Sequence, residues 1–263
     1  MKALVLAAGY GERLRPITDS IPKPLVEIGG RPLILYPLLL LRNAGIHDVA
    51  VNVHHLAHKI EAALGRGDAL GLAITYSPEP VLLGTGGPLL ALRDYFDHEP
   101  FLILNGDTIM DLDLLAMIAA HRKCGAIATM ALRETASHGA YSQIEVDSNR
   151  QILRMRLLVD RPRQRFDDYS YAVDAAVAAE LKPLMYCGAM ICESAVLDIL
   201  PTSPPFSLIS DVLAPMVSRG LPLFGYVHSG FFRTVDDLRT FERLRAEFAS
   251  SAPPLRYIQS LDP

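Results

Sequence analysis

Apolar runs of strand length alternate with helix-length amphipathic stretches through the first half of the chain. LVLAA (4–8), DVAVNV (48–53), LAITYS (72–77), FLILNGD (101–107) and AIATMAL (126–132) predict strands. Between them, PLILYPLLLLRNAG (32–45), HLAHKIEAALG (55–65), GPLLALRDYF (87–96) and LDLLAMIAAHRKCG (112–125) predict helices. Pro37 predicts a kink or a late start in the first of these, because proline lacks the N–H that a helix interior needs. FLILNGD is almost wholly apolar, as a strand covered on both faces must be. Such alternation predicts an α/β sheet with helices on both faces. Ligands of these sheets lie beyond the carboxyl ends of the strands. The segment after residue 8 and the segment Asn105-Gly106-Asp107 both lie at such ends.

The second half has a weaker rhythm. YSQIEVD and NRQILRM (141–155) alternate around Asp147-Ser148-Asn149 and predict a hairpin. From Arg156 to Lys182 the pattern dissolves, and an inserted arm with one short helix in AVDAAVAAEL is expected. LMYCGAMIC (184–192) and PLFGYV (222–227) predict strands, and SLISDVLAPMVSRG (207–220) a helix that stops at glycine. DDLRTFERLRAEFA (236–249) predicts a closing helix, with two aspartates at its positive end. The proline-rich stretch from Pro253 is expected to fray or dock loosely.

Composition narrows the classes. Half of the 263 residues are hydrophobic and the net charge is −4, so a general nucleic-acid binder with a basic surface is not expected. Three cysteines, Cys124, Cys187 and Cys192, lack Cys-x-x-Cys spacing and read as reduced thiols in a cytoplasmic protein. No signal-peptide pattern and no run of about 18 apolar residues occurs, so no membrane partner is expected.

Four stretches carry candidate chemistry. In GYGERLRP (9–16), two glycines directly after a strand bring bare N–H groups to one point, which suits an anion, and Arg13 and Arg15 add positive charge. In IPKPLVEIGGRPLI (21–34), Lys23 stands between two stiffening prolines as a fixed point charge for phosphate. In EPVLLGTGGPL (79–89), Gly84, Gly86 and Gly87 strip side chains from the backbone ahead of a helix, where a flat base can lie. In LNGDTIMD (104–111), Asp107 ends an apolar strand and suits Mg²⁺, which takes one or two carboxylates plus substrate phosphates. Taken singly each has a plainer reading: a tight turn, a surface lysine, a helix cap.

In this order the stretches resemble the sugar-1-phosphate nucleotidyltransferases, or nucleotide-sugar pyrophosphorylases, whose opening motif is close to G-x-G-x-R-L-x-P followed by P-K-P-L. LGTGGPL and FLILNGD extend the likeness, which runs from residue 1 to about 249. The resemblance implies a Rossmann-like, mixed and mostly parallel sheet flanked by helices, with a smaller β-rich sugar-binding region. It implies one domain over 1–263: a nucleotide-binding core at 1–132, an acceptor-binding region at 133–235 with the arm at 156–183, and a closing helix at 236–249. It implies a nucleoside triphosphate and a sugar 1-phosphate as substrates, Mg²⁺ as cofactor, and room for a homo-oligomer. Arg13 would hold the triphosphate and promote pyrophosphate departure, Lys23 would bind phosphate at the reacting centre, and Asp107 would bind the metal. Ala8, Gly9, Gly11 and Glu12, with Gly84, Thr85, Gly86 and Gly87, would contact the nucleotide. Asn105 and Gly139 would contact the sugar phosphate.

The likeness departs from the family in two places. The C-terminal metal motif is replaced by GFFRTVDDL (230–238), which fits the cytidylyl branch pattern G-F-W-x-x-M-D-T-L with Phe232 at the tryptophan and Asp236 as second metal ligand. Its alternative is that Asp236 and Asp237 cap the last helix. The Glu-Lys-Pro expected after the hairpin is RLLVDRPRQ instead. Arg161-Pro162 is one substitute, and Glu180 with Lys182 and Pro183 another, while Cys187 stands where the family has a sugar-side asparagine. LGTGGPL and NGDT lean to guanylyl transfer, and GFFRTVDDL places cytidylyl transfer next. These departures also leave open a non-catalytic nucleotide-sugar-binding regulatory subunit. A dinucleotide oxidoreductase is set aside, because Leu14 stands where the third glycine of G-x-G-x-x-G belongs. His54, His55 and His58 open a crossover helix and read as structural, and the arginines of residues 154–165 read as a solvated or subunit-contacting face balanced by Asp160, Asp167 and Asp168.

Overall fold

A computed structural model describes residues 1–135, 141–160, 165–251 and 253–258. Contacts divide the chain into two compact units that interleave in sequence. One comprises Met1–Leu82, Phe101–Leu114 and Gly230–Pro263, the other Leu83–Pro100 and Leu115–Ser229. Both are α/β. No helix among the described residues is long and apolar enough to cross a membrane.

The first unit is built on four parallel strands in the order Phe101–Asn105, Lys2–Leu6, Asp48–Val53, Ala73–Pro78. Ala3, Leu4 and Val5 have no exposure, as a central strand flanked by helices requires. The register sets Leu6 opposite Asn52 on one side and Asn105 on the other. Three strands therefore end level, and the chain leaves the sheet three times along one edge. Helices Leu35–Asn43 and Ala57–Leu64 make crossovers. Pro37 falls in the first turn of its helix, where a missing N–H costs nothing, so the late start holds.

Two features of this unit escaped the pattern. Thr108–Met110 and Phe232–Thr234 pair antiparallel, with Thr234 opposite Thr108. Strands of three residues are too short to show alternation. Residues 253–258 are docked: Leu255 and Tyr257 are buried, and Arg256 Nε lies 3.0 Å from Asp111 Oδ2. The chain turns at 256–258, where the Ile258 N–H donates to the Leu255 carbonyl at 3.1 Å, so neither a strand nor a helix period was there to read beside the prolines.

In the second unit Ala128–Arg133 lies between Leu223–Val227, parallel to it, and Lys182–Cys192, antiparallel to it. Gln143–Val146, Ile152–Asp160 and Arg165–Ser170 continue outward, each antiparallel to the last. The expected hairpin is present. Asp147 Oδ1 closes its turn by accepting from the N–H groups of Asn149 and Gln151 at 2.9 and 2.8 Å. The expected irregular arm is instead largely strand. Arg165–Ser170 is an edge strand exposed on both faces, so it has no apolar period to read. The short helix is Ala175–Glu180, capped by Asp174, which accepts from Val177 N–H at 2.9 Å. The helix expected at 87–96 breaks into Pro88–Ala91 and a 3-10 turn, Asp94–Phe96. The helix expected at 207–220 opens with a π-helical turn, Leu208–Leu213, before Ala214–Ser218.

Candidate active site

The first unit gathers the charged candidates at the level strand ends. Beyond Leu6 the Ala7 N–H donates to Asn52 Oδ1 at 2.8 Å, and Asn52 Nδ2 donates to Glu79 Oε1 at 2.7 Å. Asn52 and Glu79 are both buried, so this polar relay fixes the root of the glycine loop. Gly11 has φ +65, and a Cβ there would lie 3.0 Å from both Lys23 Cβ and Thr18 Cγ2. The left-handed backbone and the crowding together demand glycine. A Cβ at Gly9 would meet nothing within 4 Å, so that backbone faces open space. Buried Leu14 anchors a 3-10 turn, Glu12–Leu14, which carries Glu12 and Arg13 outward.

Lys23 opens the turn Lys23–Leu25, and its ammonium donates to Asp107 Oδ2. Asp107 reaches that point because Gly106 lies against the first strand. The Gly106 N–H donates to the Leu6 carbonyl at 2.9 Å, and any Cβ there would stand 2.6 Å from that oxygen. The short ribbon then delivers the second carboxylate. Val235 N–H donates to the Asp107 carbonyl at 3.2 Å, and Asp236 is the next residue. Asp236 Oδ1 lies 3.7 Å from Arg13 Nη2 and accepts from Thr234 Oγ1 at 3.3 Å. Its neighbour has a different task. Asp237 caps helix Leu238–Ser250, accepting from Thr240 N–H at 2.8 Å, and that bond holds its carboxyl below the ordinary value. Arg13, Lys23, Asp107 and Asp236 thus form two cation–carboxylate pairs at one end of the ribbon. Ala8 is buried at the loop root and Asn105 half-buried at its strand end.

The second unit holds the other candidates, and they are not gathered in the same way. Gly84, Gly86 and Gly87 are glycines for packing reasons. Cβ atoms on the first two would stand 2.3 and 2.4 Å from the Phe206 carbonyl oxygen and ring, and on the third 2.3 Å from the Leu83 carbonyl oxygen. Thr85 Oγ1 accepts from Leu208 N–H at 3.0 Å, so the loop also caps the following π-helical turn. Glu180 and Lys182 are exposed, and Lys182 binds Glu134, whose carboxyl it holds below the ordinary value. Cys187 is a core residue at 1% exposure. Burial pushes its thiol up to about 12, and Sγ faces the Met185 carbonyl at 3.6 Å. Gly139 and Arg161-Pro162 lie outside the described residues.

Sequence reasoning missed Asn52, Glu79 and Thr234. A lone asparagine within the apolar run DVAVNV was the available signal for the first; the other two have none.

The family model described as Nucleotidyl transferase matches residues 2–175. The UTP–glucose-1-phosphate uridylyltransferase of Synechocystis is 34% identical over 85% of this chain and 57% of its own length. The mannose-1-phosphate guanyltransferase of Schizosaccharomyces pombe is 34% identical over 70% of this chain and 52% of its own. This chain therefore spans about half the length of the curated relatives it matches. In fold it is similar to a solved Bacillus anthracis protein assigned as a glucose-1-phosphate thymidylyltransferase, with a TM-score of 0.77, 20% identity, and coverage of 94% and 95% of the two chains.

Proposed function

The chain belongs to the nucleotidyl transferase family, and from that premise we propose that it transfers a nucleotidyl group from a nucleoside triphosphate to a sugar 1-phosphate, releasing pyrophosphate. The pairing of Arg13 with Asp236 and of Lys23 with Asp107, at the root of a glycine loop, carries this reading. A sugar phosphate oxygen attacks the α-phosphorus in line, and the bond to pyrophosphate breaks. The attacking oxygen is already anionic, so no strong general base is needed. The barrier lies in bringing two anions together and stabilising charge on the reacting phosphates, a task for fixed cations. Lys23, stiffened by its prolines, supplies a point charge at the reacting centre. Arg13, on an exposed turn, reaches the triphosphate and stabilises the departing pyrophosphate. The open backbone at Gly9 admits phosphate oxygens to the loop N–H groups.

The donor set fits a divalent cation. Asp107 and Asp236 are partly exposed carboxylates at one end of one ribbon, hard oxygen donors that Mg²⁺ takes together with substrate phosphates. When bound, Mg²⁺ would neutralise phosphate charge and orient the triphosphate. The donor is UTP or GTP, the bases implied by the two relatives' names, with cytidylyl transfer behind them.

Pyrophosphate release in Mg²⁺ tests the reading, with each of the four ribonucleoside triphosphates and dTTP set against hexose and heptose 1-phosphates. Release that requires one triphosphate and one sugar phosphate together is the expected result. No release from any pair, with nucleotide sugar still bound in calorimetry, would replace the reaction with a binding subunit.

A further inference from the structure

The glycine loop has few anchors of its own. Gly9, Tyr10, Glu12, Arg13, Arg15, Pro16, Asp19 and Ser20 are all exposed. Beside the Arg13–Asp236 pair, side-chain hydrogen bonds reach it from one short stretch, residues 54–59. His54 Nε2 lies 3.0 Å from Tyr10 Oη, His55 Nε2 lies 2.8 Å from the Thr18 carbonyl oxygen, and Lys59 Nζ donates to the Ser20 carbonyl at 2.6 Å. The Tyr10 ring also meets the rings of both histidines, at centroid separations of 5.2 and 5.6 Å. Thr18 passes the restraint inward, because its hydroxyl donates to the Gly11 carbonyl at 2.9 Å.

The partners fix the tautomers. A backbone carbonyl only accepts, so His54 Nδ1, 2.7 Å from the Glu79 carbonyl oxygen, carries a proton, and in the neutral ring Nε2 accepts from Tyr10. By the same logic His55 donates from Nε2. His54 is thereby tied at one end to Glu79, the residue that also holds Asn52 and the loop root. Leu56, the next residue after the histidines, is left-handed at φ 51, a conformation that a branched residue adopts only where its surroundings impose it.

We propose that His54 and His55 are positioning residues that clamp the loop at Tyr10 and Thr18, setting its N–H groups and Arg13 in place before a phosphate arrives. The proposal rests on the reading of residues 9–13 as a phosphate loop. A preformed anion site avoids the ordering cost that a mobile loop would incur on binding. In that role the histidines act through the loop and touch no substrate.

Trypsin provides a readout that needs no substrate. Arg13-Leu14 is cleavable, whereas Arg15-Pro16 and Lys23-Pro24 resist because proline follows. His54→Asn keeps a donor for Glu79 and loses Tyr10, whereas His54→Gln keeps a partner for Tyr10. Native-state cleavage after Arg13 is expected to quicken roughly tenfold in His54→Asn and in Tyr10→Phe, to quicken no further in the double variant, and to stay near wild type in His54→Gln. The KM for the triphosphate is expected to rise in the same order, with kcat changing much less. Unchanged cleavage in His54→Asn, His55→Asn and Tyr10→Phe, with each still folded by circular dichroism, would overturn the clamp. If wild type releases no pyrophosphate, the reaction fails as a reading, while the cleavage rates still decide the clamp.

Discussion

Two adjacent aspartates, Asp236 and Asp237, have separable tasks that their side-chain partners reveal. Asp237 serves the helix, so Asp237→Ala should cost about 1 kcal/mol of stability in a denaturant titration and leave turnover near wild type. Asp236 faces Arg13, so Asp236→Ala should lose turnover while the unfolding midpoint holds. The reverse pattern would return both residues to capping and remove the second metal ligand. Arg13 is exposed and makes little packing contact, so its charge is what a substitution removes. Arg13→Ala should lower kcat by about two orders of magnitude if it stabilises departing charge. An effect confined to KM would demote it to substrate binding.

Between residue and fold, the element pairs of the second unit are locked by one buried imidazole. His121, on helix Leu114–Cys124, lies 2.8 Å from Thr129 Oγ1 and 3.0 Å from Glu193 Oε1, so it joins a helix, a strand and the loop after another strand. Burial pushes its titration below the ordinary value near 6.5, outweighing the upward pull of Glu193. A depressed value means the folded chain prefers the neutral ring. The stability this confers is present above the unfolded value and lost as pH falls through the folded one. Thermal unfolding followed from pH 7 to 5 should show a falling midpoint in wild type and a shallower fall in His121→Gln. Equal slopes would show that other groups govern this window.

At the scale of the whole molecule, how much could be read from the sequence followed how far each signal reaches along the chain. The apolar runs fixed the parallel strands, and with them the edge where Gly9, Gly11 and Asp107 emerge. Arg13 and Asp236 are brought together by a ribbon of three-residue strands, which has no period to detect, so their contact was invisible although each residue was named. The glycines at 84, 86 and 87 were legible as a bare backbone, but Phe206, which fills the space beside two of them, was not. Cys187 was named from its motif position alone, and only the packing shows it to be core. Of the two expectations for the tail, fraying or loose docking, residues 253–258 show docking, and the prolines mask the burial of Leu255 and Tyr257 that secures it. Deleting residues 253–263 should therefore cost roughly 3 kcal/mol, the burial of two large side chains at the low end of their usual worth. A denaturation midpoint unchanged by the deletion would restore the frayed tail.

The interleaving of the two units sets an order of assembly on the ribosome. The glycine loop emerges before any part of the other unit, yet the unit that contains it is completed only by residues 230–263, after the whole of the other unit has been made. Until Phe232–Thr234 finds Thr108–Met110, Asp107 lacks its ribbon partner and Arg13 lacks Asp236. A nascent chain stalled before residue 230 can carry every glycine of the opening motif and still be unable to assemble its charged centre. Competence arrives in one late step, with the last segment of the unit.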